Sequence, residues 1–533
     1  MQNNENRRVF LRDGLGLALL AILLTIPSLF LQLVPGYMDA EYYFMGGLNL
    51  SRGSGFYENT IWNTLILPNT LPAASHLYWM PLPSILASWG LALFHSETYL
   101  NARSVFVLLA AMIPVLTYGF TYQISNDRSM SLTAGYMAVF SGMYLVYLSL
   151  VESFSPYMFF GGLIIFLVYR ILESQKKIHR IWIFGMIGLL CGLMHLSRAD
   201  GILWLGFVGL LILWRLTQKK NWMEAILSGL CLVGGYLVLM LPWYLRNWNL
   251  FHGLFPPSNQ STLFFLGYND NFLYPAGQIT LQRWLGSGWQ AIVNSRFQAV
   301  GANMLTTVII HFAFILLPFF IVFMIENWKS VFMRWVMICY LIQFIFMSVL
   351  FPFAGMRGGF FHSGSAFQIF FWVASSIGLY SAVRKLMARQ RQTDQRIYGI
   401  FSIGVLFILL ASTLLLYQQK VLGKEMNTGY WQQDYVDYMG LEQALQANEI
   451  PVQAGVLINN PPGFYLVSHR QAIVVPNASI AGVHDLAVRY EIPYLILDEH
   501  IVPELADFYR DGTSRDGFEY LFTTGSFKVY RVE

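Results

Sequence analysis

Residues 81–94 read Pro81-Leu82-Pro83-Ser84-Ile85-Leu86-Ala87-Ser88-Trp89-Gly90-Leu91-Ala92-Leu93-Phe94, and whether this stretch crosses a membrane decides the sidedness of everything after it. As a helix it would extend about 21 Å, against a hydrocarbon core of about 30 Å. Length alone does not exclude it, because the apolar stretch 201–214 is equally short. Outward from this point, eleven other apolar stretches are long enough to cross or nearly so: 14–34, 103–124, 131–150, 156–172, 181–197, 201–214, 225–245, 302–325, 332–353, 363–383 and 397–418. With eleven spans and the N-terminus inside, 18 of the 33 Lys and Arg fall in short inner loops, among them Arg7, Arg8, Arg12, Lys176, Lys177, Arg180, Lys219, Arg389 and Arg391. Only seven fall in the much longer outer loops: Arg52, Arg103, Arg198, Arg246, Arg283, Arg296 and Arg357. A twelfth span at 81–94 would reverse that bias, against the rule that cytoplasmic loops carry the excess of Lys and Arg. The stretch is therefore expected to lie along the surface.

Composition sets the same frame. Of the 533 residues 56% are hydrophobic, 16% aromatic and 12% charged, whereas soluble domains carry about a quarter charged residues. Mean hydropathy is +0.50. The expected class is mainly α: a polytopic protein of the cell (inner or plasma) membrane, multi-pass, with a cytoplasmic N-terminus. Gly14 to Val34 is longer than a signal-peptide core and has no small-residue cleavage site before Pro35, so it reads as the first span. Cys191, Cys231 and Cys339 all lie in apolar runs, with neither disulfide nor zinc-ligand spacing. A net charge of +4 gives no sign of nucleic acid.

The expected domains are a multispanning unit, 1–419, whose loop 35–102 is extracytoplasmic with surface helices, and a soluble extracytoplasmic α/β domain, 420–533. In the tail, the runs Gly455–Ile458, Ala472–Val475, Tyr494–Leu497 and Phe527–Val532 read as strands, and Ile480–Tyr490 as a helix. No internal repeat is present, as an inverted-repeat transporter would show.

Ionisable groups at membrane depth or at its rim are costly, and so mark function. All those of interest fall on the outer side. Asp39 and Glu41, two positions apart after the first span, can bind a hard cation or deprotonate a hydroxyl. Equally, Asp39 suits a helix N-cap and Glu41 a first turn. Glu152 sits alone in an apolar turn. Arg198 and Asp200, in Ser197-Arg198-Ala199-Asp200-Gly201, read more readily as an ion pair holding a hairpin than as catalysts. Arg246 and Asn247, at the end of a span, suit a lipid phosphate, because the guanidinium fork binds phosphate oxygens in pairs. Arg357 and His362 occupy the analogous place between two later spans. His76, Tyr78 and Trp79 form a polar–aromatic set that suits sugar rings as well as a membrane interface. No phosphate-cradling glycine loop, H-E-x-x-H or G-x-S-x-G occurs.

In this order the motifs resemble the GT-C superfamily of polyprenyl-phosphate-sugar glycosyltransferases, in particular the aminoarabinose transferases and protein O-mannosyltransferases. The resemblance rests on Asp39-Ala40-Glu41, His76-Leu77-Tyr78-Trp79-Met80-Pro81, Glu152, the 197–201 turn, Leu241-Pro242-Trp243-Tyr244-Leu245-Arg246-Asn247 and Asn460-Pro461-Pro462-Gly463-Phe464-Tyr465. It implies an inverting membrane hexosyl- or pentosyltransferase of the cell envelope that moves a sugar from a polyprenyl-phosphate donor to a lipid, glycan or protein hydroxyl. Asp39, Glu41 and Glu152 would be catalytic, and Arg246, Arg357 and His362 would hold the donor phosphate. Asp39 and Glu152 would ligate a divalent metal ion, if one is used. The first-loop pair is Asp-x-Glu, where the mannosyltransferases carry adjacent Asp-Glu. The competing readings are a secondary transporter and a lipid-linked glycan ligase or binding protein.

Overall fold

The computed structural model describes residues 2–173, 177–256, 261–388 and 394–533. Lys176, Arg389 and Arg391, counted in the charge bias, lie outside them, as do the side chains of Lys177, Arg180 and Lys219. The chain forms two compact units, each assembled from three segments.

The first unit comprises Met1–Leu31, Arg103–Asn249 and Arg296–Asn427. Among the described residues of the chain, eight helices are long and apolar enough to cross a bilayer: Arg7–Leu31, Tyr99–Ser125, Phe154–Glu173, Ala199–Gln218, Trp222–Phe251, Val331–Leu350, Pro352–Met387 and Arg396–Leu422. Each covers one of the eleven expected spans. Their outward residues, such as Leu230 at 64% and Phe407 at 69% exposure, are apolar. Apolar faces this extensive are stable in lipid and costly in water. Ile181–Ser197 and Leu317–Asn327 are shorter apolar helices on two further expected spans. The stretch 131–150 is not one helix: Arg128–Val139 stops at Phe140, and a 3₁₀ turn, Gly142–Val146, follows. Twelve helical residues reach only about 18 Å. Conversely, the expected 201–214 extends to Gln218, and Arg215 within this extension pairs with Glu224 at 2.7 Å.

Arg103, one of the seven outer basic residues, is fully buried. It donates to Ser149 O (2.9 Å), Ser149 Oγ (2.6 Å) and Ser28 O (3.0 Å), so it acts as a tie between segments.

The second unit comprises Gln32–Ala102, Leu250–Ser295 and Thr428–Glu533. Its centre is a six-stranded sheet in the order Thr60–Ile61, Ala472–Ile473, Val456–Leu457, Tyr494–Leu497, Phe527–Val532 and Phe518–Thr524. The first four strands are parallel and the last two antiparallel. Gly525, at φ +56°, makes the tight turn of the final hairpin. Successive strand residues point to opposite faces. Thus Leu495 and Leu497 pack with Val483 and Leu486 of the helix Ile480–Arg489. On the other face Tyr494 and Ile496 pack with Leu441 and Phe464, from the helices Gln433–Ala447 and Pro461–Ser468. The result is an α/β three-layer arrangement, each face burying its own apolar cluster. Two loops join it. Thr60–Ile61 supplies an edge strand, and Thr64 pairs with the middle loop through Asn271 O (3.0 Å) and Leu273 O (2.7 Å). The segment 81–94 contains a 13-residue apolar helix, Leu82–Phe94, and belongs to this unit.

Candidate functional site

In the second unit, Asp39 and Glu41 lie in the first turn of the helix Met38–Ser51. The N-cap is Tyr37, which makes no side-chain cap. Asp39 is therefore not the capping residue, although acids are favoured here by the helix dipole. Asp39 is half-buried. Glu41 is only 4% exposed. Its Oε2 accepts a hydrogen bond from Asn460 Nδ2 at 2.8 Å. Burial pushes the Glu41 carboxyl up to about 7; the Asn460 bond opposes this, and Asp434 and Asp39 add to it. An acid whose pKa rises on folding stabilises the fold fully below its ordinary 4.5, and that contribution is lost as pH rises through about 7. Melting temperature should accordingly fall across that window in the native protein, and Glu41→Gln should flatten the slope; an unchanged slope in E41Q would place the titration elsewhere.

His76 is 2% exposed and saturated. Its Nδ1 lies 2.7 Å from Ser75 Oγ, its Nε2 lies 2.9 Å from Ser84 Oγ, and its backbone N–H donates to Tyr42 Oη at 2.6 Å. Ser84 in turn donates to Tyr43 O at 2.8 Å. His76 thus ties the helix Met38–Ser51 to Leu82–Phe94. Tyr78 packs edge-on against Trp62, which also stacks on Trp79 at 3.8 Å. The sequence did not single out Trp62, because one Trp in an irregular loop carries no pattern.

In the first unit, Glu152 is 1% exposed and accepts a short hydrogen bond from the N–H of Ser153. His362 Nδ1 is 3.9 Å from Glu152 Oε1 and 3.1 Å from Ser153 Oγ. The imidazole stacks on Phe154, with 3.9 Å between centroids. Ser153 was missed; its only signal was adjacency to Glu152. Asp200 and Arg198 pair at 2.9 Å, with side chains 6% and 18% exposed. Asp200 also accepts from Tyr157 Oη (3.1 Å) and Gln343 Nε2 (3.0 Å), and Arg198 reaches Gly359 O (3.5 Å). This is the ion pair expected of the hairpin, extended by two neighbours the sequence could not supply.

Arg246 lies over the Trp243 ring at 4.4 Å and donates to Asn247 Oδ1 at 3.4 Å. The ring holds the guanidinium by cation–π attraction. Arg357 is exposed and lies in a broken stretch of helix, Gly355–Gly359. Gly358, at φ +114°, makes that break possible, since only glycine adopts this region without strain.

The sequence matches no protein-family model and no curated protein. Its fold does match solved structures. Over 97% of both chains it superimposes on ArnT from Cupriavidus metallidurans bound to undecaprenyl phosphate, with a TM-score of 0.57 and 12% identity. Over 93% of this chain and 70% of the other it matches the apo oligosaccharyltransferase of Archaeoglobus fulgidus, with a TM-score of 0.57 and 11% identity. The same archaeal enzyme in complex with Zn and sulfate matches at a TM-score of 0.55 and 12% identity, over 96% of this chain and 72% of that one. The fold is that of these polytopic membrane glycosyltransferases, and the chain is a multi-pass membrane protein.

Proposed function

We propose that the chain is an inverting glycosyltransferase that moves a sugar from a polyprenyl-phosphate donor to a hydroxyl acceptor at the extracytoplasmic membrane face. The observation that carries this is the full-length fold match to ArnT bound to undecaprenyl phosphate. The loop-and-tail unit, including Thr428–Glu533, then lies outside the cytoplasm of an inner or plasma membrane, the side the charge bias favours.

In the proposed step the acceptor hydroxyl loses its proton to Asp39 and attacks the anomeric carbon. The bond from that carbon to the phosphate oxygen breaks, polyprenyl phosphate leaves, and the configuration inverts. Arg246, with Arg357 and His362, binds the phosphate as its charge grows. A divalent ion would be held by the carboxylates of Asp39 and Glu152. The oxygen and nitrogen donors of Glu152 and His362, 3.9 Å apart, fit such an ion, and it would supply charge to the leaving phosphate.

Arg246→Ala should raise KM for the lipid-linked donor by about ten- to a hundred-fold, the range of one charged hydrogen bond; an unaltered donor response rejects the role. Chelation should depress turnover in reconstituted protein, and Zn²⁺, Mn²⁺ or Mg²⁺ should restore it. Full turnover in chelator removes the metal. The same reconstitution with labelled polyprenyl-phosphate sugar tests the class: accumulation inside vesicles without a new glycosidic bond would favour a transporter, and retention without transfer a binding protein.

A further inference from the structure

The motif Asn460-Pro461-Pro462-Gly463 has no task in the mechanism above, yet every residue in it is set by a contact. Asn460 uses both ends of its amide. Its Oδ1 accepts from the N–H of Gly463 at 3.2 Å, which caps the helix Pro461–Ser468. Its Nδ2 donates to Glu41 Oε2 at 2.8 Å. Pro461 and Pro462 fill the first turn, where no N–H is needed. Gly463 leaves the space that Glu41 occupies: a Cβ there would stand 2.8 Å from Glu41 Oε2 and 2.6 Å from Asn460 Nδ2. The carboxylate is held against the head of a tail helix, two residues from Asp39.

We infer that Asn460 and Glu41 are positioning residues, through which the tail fixes the first-loop helix and hence the Asp39 carboxylate for reaction. This rests on Asp39 acting as proposed above. It assigns Glu41 to orientation rather than to chemistry, and it gives the tail a task in turnover that does not require it to touch substrate. The groups facing Glu41 are Asp39 on its own helix and, from the tail, Asn460, Asp434 and Tyr438.

A swap of the pair tests it in the full-length protein in lipid, with all variants compared at one pH. Asn460→Asp keeps a good N-cap but sets two carboxylates face to face. It should lower kcat by about ten- to a hundred-fold, the cost of a misplacement of about 1 Å, with donor KM changed less than about three-fold. Adding Glu41→Gln restores a donor opposite an acceptor, and kcat should return to within about three-fold of the native value. Hydrogen exchange over residues 38–51 should quicken in the single variant and recover in the double one. Asn460→Asp without effect on kcat and exchange, or a double variant no better than the single, overturns the inference. If the native protein transfers no sugar, the glycosyltransferase reading fails, and the exchange data alone then decide the strut.

Discussion

Asp39→Asn should reduce sugar transfer by about a hundred- to ten-thousand-fold, the range a positioned general base contributes, while the protein is still produced and inserted. The change keeps size and polarity and removes the charge, and with it the ability to take a proton or ligate a cation strongly. Asp39 is not the helix cap, so loss of capping does not confuse the result. Turnover of lipid-linked donor should collapse at all pH values, whereas donor binding should survive. Retained turnover would remove Asp39 from the reaction.

The second large effect concerns the hairpin between the helices Lys177–Ser197 and Ala199–Gln218. Asp200→Ala removes the acceptor of three hydrogen bonds, from Arg198, Tyr157 and Gln343. It also removes one side of a largely buried ion pair, whose carboxylate Arg198 meets at 2.9 Å, and breaking such a pair costs about 3–5 kcal/mol. Thermal unfolding in detergent should shift down sharply. Replacing both partners, Arg198→Leu with Asp200→Ala, should recover much of the loss, because neither charge of this pair then remains. A double variant as unstable as the single one would show that the bonds from Tyr157 and Gln343 matter more than the pair.

Several features were readable in advance because their causes are local. Apolar runs give helices in lipid, so eight of the expected spans coincide with long apolar helices. The continuous apolar run Tyr494–Leu497 marks a strand buried on both faces. Other features depend on partners far along the chain. Phe140 ends a helix inside an apolar run that hydropathy reads as continuous. Thr60–Ile61 is two residues long, too short for any pattern, and becomes a strand only because Ala472–Ile473 offers an open edge. The ring of His76 is held by Ser75 and Ser84 and its backbone N–H by Tyr42, partners that spacing in the sequence does not reveal. Conversely, the motif at Asn460 was noticed as a pattern, and its contact with Glu41 had no signature at either end. Spacing along a chain reports local periodicity; pairings that close over hundreds of residues leave no trace in it.

The edge strand borrowed from the first loop has a consequence for biosynthesis. During translation, Thr60 and Ile61 emerge long before Ala472 and Ile473, so the parallel pair between them can close only when the chain is nearly finished. Until then Thr60–Ile61 lacks this partner, and Ala472–Ile473, once made, presents backbone donors and acceptors to any extended peptide nearby until Thr60–Ile61 docks. The tail expressed by itself would retain that open flank permanently and would tend to self-associate through it.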